Sequence, residues 1–270
     1  MPDVYTTIAT AEAAVVGPLV DTLELRAADP RQRQMREEYL SEVAFPAEAR
    51  VVEIGCGPGP VARSLAVWPG VGEVVGIDPS PVFIEKAREL GARLPNLTFM
   101  TGDAQALPLP DASVDVAVFH TVLCHVADPA LALVEAMRVL RPGGSVAIFD
   151  GDYNTVSVAT SAADPLQACA DAAVGFLVHD RWLPRRLPAL LGAAGFHWIR
   201  LRGHNYLDAP SASGYLLALI DRGIDALLTG GRVGPGMAEA LRAEAKRRSE
   251  AGEFFGHIAY VSAIAQRPAQ

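Results

Sequence analysis

The sequence predicts an α/β fold: a mostly parallel seven-stranded sheet with helices on both faces and a partly helical cap. Three observations lead there. Five short apolar runs between residues 50 and 150 alternate with helical patterns, and strands that are apolar on both sides belong to parallel sheets covered on both faces. The unusual polar residues of this stretch, Asp78, Asp103 and Asp150, fall at the carboxyl ends of those runs, where open α/β sheets hold their ligands. The 270 residues are 50% hydrophobic but only 7% aromatic, which suits closely packed helices and strands. That length fits one large domain, because a single core grows to roughly 250–300 residues before chains divide.

Residues 1–45 read as a helical N-terminal lid outside the sheet, and 46–150 as the core. Arg50–Ile54 (RVVEI) is the first strand and stops at Gly55-Cys56-Gly57-Pro58-Gly59. A short helix follows from Pro60, and Gly70 closes it. Glu73–Ile77 (EVVGI) is the second strand, ending on Asp78. Ser80 and Pro81 then open a helix with Phe83, Ala87 and Leu90 inward and Gly91 at its end. Leu97–Thr101 and Val114–Phe119 are the third and fourth strands. Asp128-Pro129 starts a helix that turns Leu131, Val134, Met137 and Leu140 inward, with Arg138 and Arg141 at its negative end. Pro142-Gly143-Gly144 breaks it before the fifth strand, Ser145–Phe149, which ends on Asp150.

Beyond 150 the pattern loosens. Residues 183–203 and 257–268 complete the sheet, with strands near Trp198–Arg202 and His257–Ile264. Residues 151–182 (loop and helix) and 204–256 form the cap or insertions, the latter holding helices at Tyr215–Leu228 and Met237–Arg248. The long second insertion is mostly apolar and suits either an acceptor pocket or a dimer face.

Composition narrows the function. A net charge of −8 argues against nucleic acid as a partner, since phosphate neutralisation needs a basic surface. Arg185-Arg186 and Lys246-Arg247-Arg248 are short clusters that read as solvated helix faces. The cysteines, Cys56, Cys124 and Cys169, fit neither a disulfide framework nor a zinc site and read as reduced packing residues. No uninterrupted apolar run approaches the roughly 18 residues of a membrane span, and the N-terminus lacks the basic start of a secretory signal. A cytoplasmic protein, monomer or homodimer, is expected.

The glycine loop carries the chemistry. Glycines let backbone bend sharply and approach a ligand. The spacing is G-x-G-x-G rather than the G-x-G-x-x-G of a dinucleotide site, and no Gly-Lys-Ser/Thr follows. Glu53, two residues ahead of the loop, suits a ligand with positive charge better than a pyrophosphate.

Four motifs in order, VVEIGCGPG (51–59), VVGIDPS (74–80), TGDAQALP (101–108) and VFHTVLCHVADP (118–129) leading to LRPGGSVAIFD (140–150), resemble the class I S-adenosylmethionine-dependent methyltransferases. The closest resemblance is to the small-molecule branch with the ubiquinone/menaquinone-type enzymes (methyltransferase type 11), whose sheet is Rossmann-like. The resemblance covers roughly 36–150 well, and 183–203 with 257–267 more loosely. It implies S-adenosylmethionine as cofactor, with the 46–150 core binding it. Gly55 and Gly57 then pass the methionine part while Glu53 holds its amino end. Asp78 accepts from both ribose hydroxyls, Pro79 and Ala104 flank the adenine, and Asp103 accepts from its amine. The His120 carbonyl meets the amino group. Tyr5 and Tyr39 are candidates for lining the pocket from the lid.

Plainer roles stand beside these. Asp78 suits a helix cap, Asp103 a loop acid and Glu53 a solvated loop mouth. His125 is placed where cofactor and acceptor meet, and some relatives use such a histidine with an aspartate after strand five to remove the acceptor's proton. His125 and Asp150 are therefore the catalytic candidates, against a role for His125 in ordering its loop. Asp152-Tyr153 reads as a turn. No acidic cluster suggests a metal. The expected activity is methyl transfer to a small, fairly apolar metabolite, with oxygen ahead of carbon or nitrogen. The lack of an Asn/Asp-Pro-Pro-Tyr motif after strand four argues against DNA bases or protein glutamine as acceptors. The alternatives are a cofactor-dependent cyclisation without methyl transfer and a non-catalytic cofactor sensor.

Overall fold

The computed structural model describes residues 4–208 and 214–269. Among these, seven strands form one sheet: β1 (Ala49–Ile54), β2 (Val71–Asp78), β3 (Leu97–Thr101), β4 (Val114–His120), β5 (Leu140–Ser157), β6 (His197–Asp208) and β7 (Gly256–Gln266). Their order is β3-β2-β1-β4-β5-β7-β6. β1 to β5 run parallel, and β7 lies antiparallel between β5 and β6. The Rossmann-like architecture expected from the sequence is the one observed. Its centre is fully buried, with Val52 and Ile54 of β1 against Val116, Ala117, Val118 and Phe119 of β4.

The helices are α1 (Ala13–Ala28), α2 (Pro30–Leu40), α3 (Pro60–Ala66), α4 (Pro81–Gly91), α5 (Pro129–Val139), α6 (Pro165–Leu177), α7 (Leu183–Ala193), α8 (Tyr215–Thr229) and α9 (Pro235–Glu250). Four begin with an acceptor side chain followed by proline. Asp29 accepts from the Arg31 and Gln32 amides, Ser80 from Phe83, Asp128 from Leu131 and Asp164 from Leu166. The caps satisfy amides that the first turn leaves unpaired, and proline there gives up a donor the helix would not use.

The structure corrects several details. In α5 the residues turned inward are Ala132, Leu133, Ala136 and Val139, whereas Leu131 and Val134 are 43% and 49% exposed. Both stripes of PALALVEAMRV are apolar, so periodicity does not choose between them. In α4, Phe83, Ile84 and Ala87 are buried and Leu90 lies outside. β5 continues past Asp150, and Asp152-Tyr153 lie in strand rather than turn, because β7 supplies a ladder through Asp152↔Ala259 and Ser157↔His257. β6 likewise runs to Asp208 on the same partner. Residues such as Gly151, Asp152 and Asn154 have poor strand propensity, and cross-strand pairing overrides it.

α6 and α8 pack over the sheet's carboxyl ends. A Cβ on Gly223 of α8 would stand 1.8 Å from the Cys169 carbonyl oxygen of α6, so glycine is needed for this approach. Arg222 ties α8 to α1, donating to the Pro18 carbonyl at 3.1 Å and to Thr22 Oγ1 at 2.6 Å. Arg248 of α9 reaches Asp164 at the start of α6, at 2.5 Å. Arg185 and Arg248, expected on solvated faces, thus have carboxylate partners, Arg185 pairing with Asp152 at 2.7 Å. Among the described residues no helix is long and apolar enough to cross a membrane.

Candidate active site

A cavity of about 320 Å³ opens at the carboxyl ends of β1, β2 and β4. It is walled by α1 and α2 on one side and by Tyr153 of β5, the end of α6 and the start of α8 on the other. Glu53, Gly55, Gly57, Asp78, Pro79, Asp103, Ala104, His120 and His125, all singled out from the sequence, line it.

The glycine loop is shaped by its neighbours. Gly55 takes φ +74°, and a Cβ there would lie 2.5 Å from the Val122 side chain, so only glycine lets the two loops meet. The Gly55 and Cys56 amides donate to the Ile77 carbonyl at 2.7 and 2.9 Å. Asp78 Oδ2 accepts the Gly57 amide at 2.8 Å and Oδ1 accepts the Ser80 amide at 2.9 Å. Ser80, not Asp78, caps α4. Burial pushes Asp78 up to about 6 against the pull of these two amides. Asp103 is exposed and accepts from the Gln105 amide at 2.8 Å.

Glu53 is 2% exposed, and its Oε2 has no hydrogen-bond partner. Burial pushes its carboxyl up to about 8, although the Ala62 amide and Arg36 pull the other way. Two further buried atoms among the cavity's lining residues also lack partners, Gln32 Oε1 and Arg26 Nη2. Buried polar atoms are rarely left unpaired. Three around one cavity describe a site built for a polar guest.

His120 ends β4 with its ring fixed. Tyr39 Oη lies 3.0 Å from Nδ1, and Phe149 stacks on the imidazole with centroids 4.8 Å apart. Burial, with Arg26 and Arg36 nearby, lowers its pKa and keeps it neutral. Its carbonyl accepts from Thr121 Oγ1 at 2.7 Å, and Thr121 itself takes φ +57°. A β-branched residue in that region is strained, and such strain gathers where a structure serves a ligand. Tyr39 does not line the cavity as expected; it is consumed by this stack.

His125 is half-buried on the cavity wall, its ring 4.4 Å from that of Tyr5, which also lines the cavity. Asp150 does not join it there. It is fully buried behind the wall, accepting the Cys124 amide at 3.2 Å and the Gly151 amide at 2.9 Å. Burial raises its pKa, with Cys124 the strongest opposing influence and His125 the next. Asp150 thus lies behind the cavity wall, bonded to the Cys124 amide that precedes His125.

Sequence reasoning missed Arg26, Gln32 and Arg36 of the N-terminal helices, and Tyr215 and Leu219 of α8. A signal existed in α2. Its sequence PRQRQMREEYL is polar almost throughout, yet Gln32, Met35, Arg36, Tyr39 and Leu40 form the buried stripe, with the i, i+3, i+4 spacing of a core-facing helix.

Residues 52–148 match the type 11 family described as methyltransferase domain. An uncharacterized 37.1 kDa protein of transposon TN4556 from Streptomyces fradiae is 39% identical over 155 residues, 57% of this chain and 44% of that one. The demethylmenaquinone methyltransferase of Staphylococcus aureus is 34% identical over 125 residues, 46% of this chain and 52% of that enzyme. These matches span about half the length of the curated relatives. The YcgJ protein of Bacillus subtilis superposes with a TM-score of 0.61 at 19% identity, covering 88% of this chain and 99% of that chain, a likeness of fold. Residues 52–148 are similar to the class I S-adenosylmethionine-dependent methyltransferases. Within that class, the match is to the methyltransferase domain of type 11. S-adenosylmethionine is the methyl donor of the class, and the donor set fits it. Unpaired acceptors at Glu53 and Gln32 suit an ammonium, the buried guanidinium of Arg36 suits a carboxylate, and the Asp78 carboxylate suits a diol.

Proposed function

We propose that the protein transfers a methyl group from S-adenosylmethionine to an oxygen of a small, fairly apolar metabolite. The observation that supports this most is the continuity of one cavity. One cavity is lined both by the glycine loop, Asp78 and Asp103 and by Tyr153, Leu177, Val178, Tyr215, Leu219 and His125; in this reading the second group forms the acceptor chamber.

In this reading Glu53 and the His120 carbonyl take the amino end of the cofactor, while Gly55 and Gly57 give its methionine part a close backbone surface. Asp78 uses its remaining lone pairs for the two ribose hydroxyls. Pro79 and Ala104 flank the adenine, and Asp103 accepts from its amine. The bound cofactor supplies a methyl group already activated on a sulfonium, so the chain's contribution is mainly alignment and exclusion of water. His125 removes the proton of the acceptor hydroxyl as the oxygen–methyl bond forms and the methyl–sulfur bond breaks. Asp150 keeps the Cys124-His125 segment in place from behind.

The test is a pair of measurements on the purified protein. Calorimetric titration with S-adenosylmethionine, its demethylated product and NAD is expected to give micromolar binding of the first two only. Incubation with S-adenosylmethionine and fractionated metabolite extracts is expected to yield a product heavier by one methyl group, about 14 Da. A product isomeric with its substrate overturns methyl transfer in favour of cyclisation, and binding without any product favours a sensor.

A further inference from the structure

The cavity contains two buried guanidiniums, and S-adenosylmethionine has one carboxylate. Arg36 stands in the electrostatic company of Glu53 and Tyr39. Arg26 shares with Arg36 an influence on His120 and Tyr39, and it has aromatic neighbours of its own. Its guanidinium carbon lies 5.8 Å from the ring centroids of both Tyr215 and Tyr260, and its electrostatic neighbours include Tyr5 and Tyr153. Tyr5, Tyr153 and Tyr215 line the same cavity. Arg26 is 8% exposed, no carboxylate pairs with it among the described residues, and Nη2 is without a partner.

An arginine does not lose its charge on burial, and an uncompensated buried charge is strongly destabilising. Tyrosine ring faces offset part of this cost, but they offer nothing to a guanidinium N–H in the way that a carboxylate does. The site is therefore complete only when a second anionic oxygen enters. The cofactor brings a single carboxylate, next to an amino group that belongs at Glu53, and Arg36 lies beside Glu53.

We propose that the acceptor is an anion, a small apolar or aromatic molecule bearing a carboxylate that Arg26 Nη2 takes within the tyrosine-lined chamber. Arg26 is then the residue that selects acceptors by charge and fixes which of their atoms faces the cofactor. The inference rests on the small-molecule reading above and narrows it to acidic acceptors. It also explains why a cavity with mostly apolar walls retains a second arginine.

The experiment uses the full chain saturated with S-adenosylhomocysteine, titrated with 3-phenylpropanoate and with its neutral isostere 3-phenylpropanamide. The carboxylate is expected to bind at least about tenfold more tightly than the amide. That preference should vanish in Arg26→Gln and persist in Arg26→Lys, while S-adenosylhomocysteine affinity changes less than about threefold in both. Arg36→Gln is expected to weaken S-adenosylhomocysteine by about tenfold or more. Equal binding of acid and amide to the unaltered protein, or no binding of either, overturns the proposal. A tenfold loss of S-adenosylhomocysteine affinity in a folded Arg26→Gln overturns it too, since Arg26 then holds the cofactor's own carboxylate. Failure of the unaltered protein to bind S-adenosylhomocysteine overturns the cofactor assignment itself, a result distinct from the other two.

Discussion

Asp78 Oδ2 accepts the Gly57 amide at 2.8 Å, so the acid at the end of β2 fixes the loop that follows β1. One carboxylate thereby shapes the floor of the cavity and keeps lone pairs for a ligand. Replacing it removes both functions. Asp78→Ala is expected to weaken S-adenosylhomocysteine binding by about 2–3 kcal/mol, the scale for a hydrogen-bonded charged acceptor. Titration calorimetry measures this directly, and unchanged affinity removes Asp78 from the site.

Glu53 is expected to make cofactor binding proton-linked. Its carboxyl titrates at about 8 in the folded chain because it is buried, against an ordinary value of 4.5. Folding therefore takes up a proton between these values, and this group's contribution to the stability of the cofactor-free protein is lost as pH rises from about 4.5 toward 8. A bound ammonium favours the carboxylate and expels that proton. Binding near neutral pH should release close to one proton, seen as an apparent enthalpy that differs between phosphate and Tris buffers. Glu53→Gln should abolish the difference.

His125 is expected to matter for turnover and not for cofactor binding. His125→Ala is expected to keep the cofactor affinity of the parent and to slow methyl transfer by about 10²–10⁴-fold. Asp150→Asn, which keeps the shape of the Cys124 contact, should cost far less. Full turnover of His125→Ala on the native acceptor would reduce the histidine to a loop support.

Gly223 sets the distance between α6 and α8. With Cys169 oxygen 1.8 Å from the site of a Cβ, Gly223→Val must push the helices apart. A loss of about 3 kcal/mol is expected, the upper range for overpacking. Denaturant titration reads the loss, and the acceptor chamber, which α6 and α8 both line, should lose acceptor affinity with it.

Asp164 and Arg248 form a buried pair between α6 and α9. Burial alone raises the Asp164 carboxyl, but Arg248 and the Thr160 and Leu166 amides outweigh it and hold the group well below the usual aspartate range. Its stabilising contribution is complete above the ordinary value of 3.8 and is lost as pH falls below it toward the depressed folded value. Arg248→Met should destabilise the protein by about 3–5 kcal/mol at neutral pH by stranding the buried carboxylate, and less in acid. A difference between the two proteins that does not narrow with acid refutes the pairing.

The legible part of this molecule was the part governed by local rules. Caps at Ser80 and Asp128, the apolar strands and the acids at their carboxyl ends can each be read within a few residues of sequence. What could not be read was decided at a distance. The extension of β5 through Gly151, Asp152 and Asn154 depends on β7, more than a hundred residues later. Tyr39 was diverted from the cavity by His120 and Phe149, which no spacing in the N-terminal segment reveals. Arg26, Gln32 and Arg36 were hidden for another reason. Hydropathy assigns such residues to solvent, and they occupy a buried stripe because the guest they surround is itself charged.

That stripe has a consequence for the life of the protein in a cell. α1 and α2 bury Arg26, Gln32 and Arg36 around the cavity, two of them with atoms that lack a partner, so the grip on these two helices is partly lent by whatever binds there. A ligand that binds only the folded form adds stability in proportion to the logarithm of its concentration over its dissociation constant. When the cofactor is scarce, the N-terminal helices are expected to loosen before the sheet does. Protease resistance of the N-terminal helices is then expected to rise with the concentration of the methyl donor.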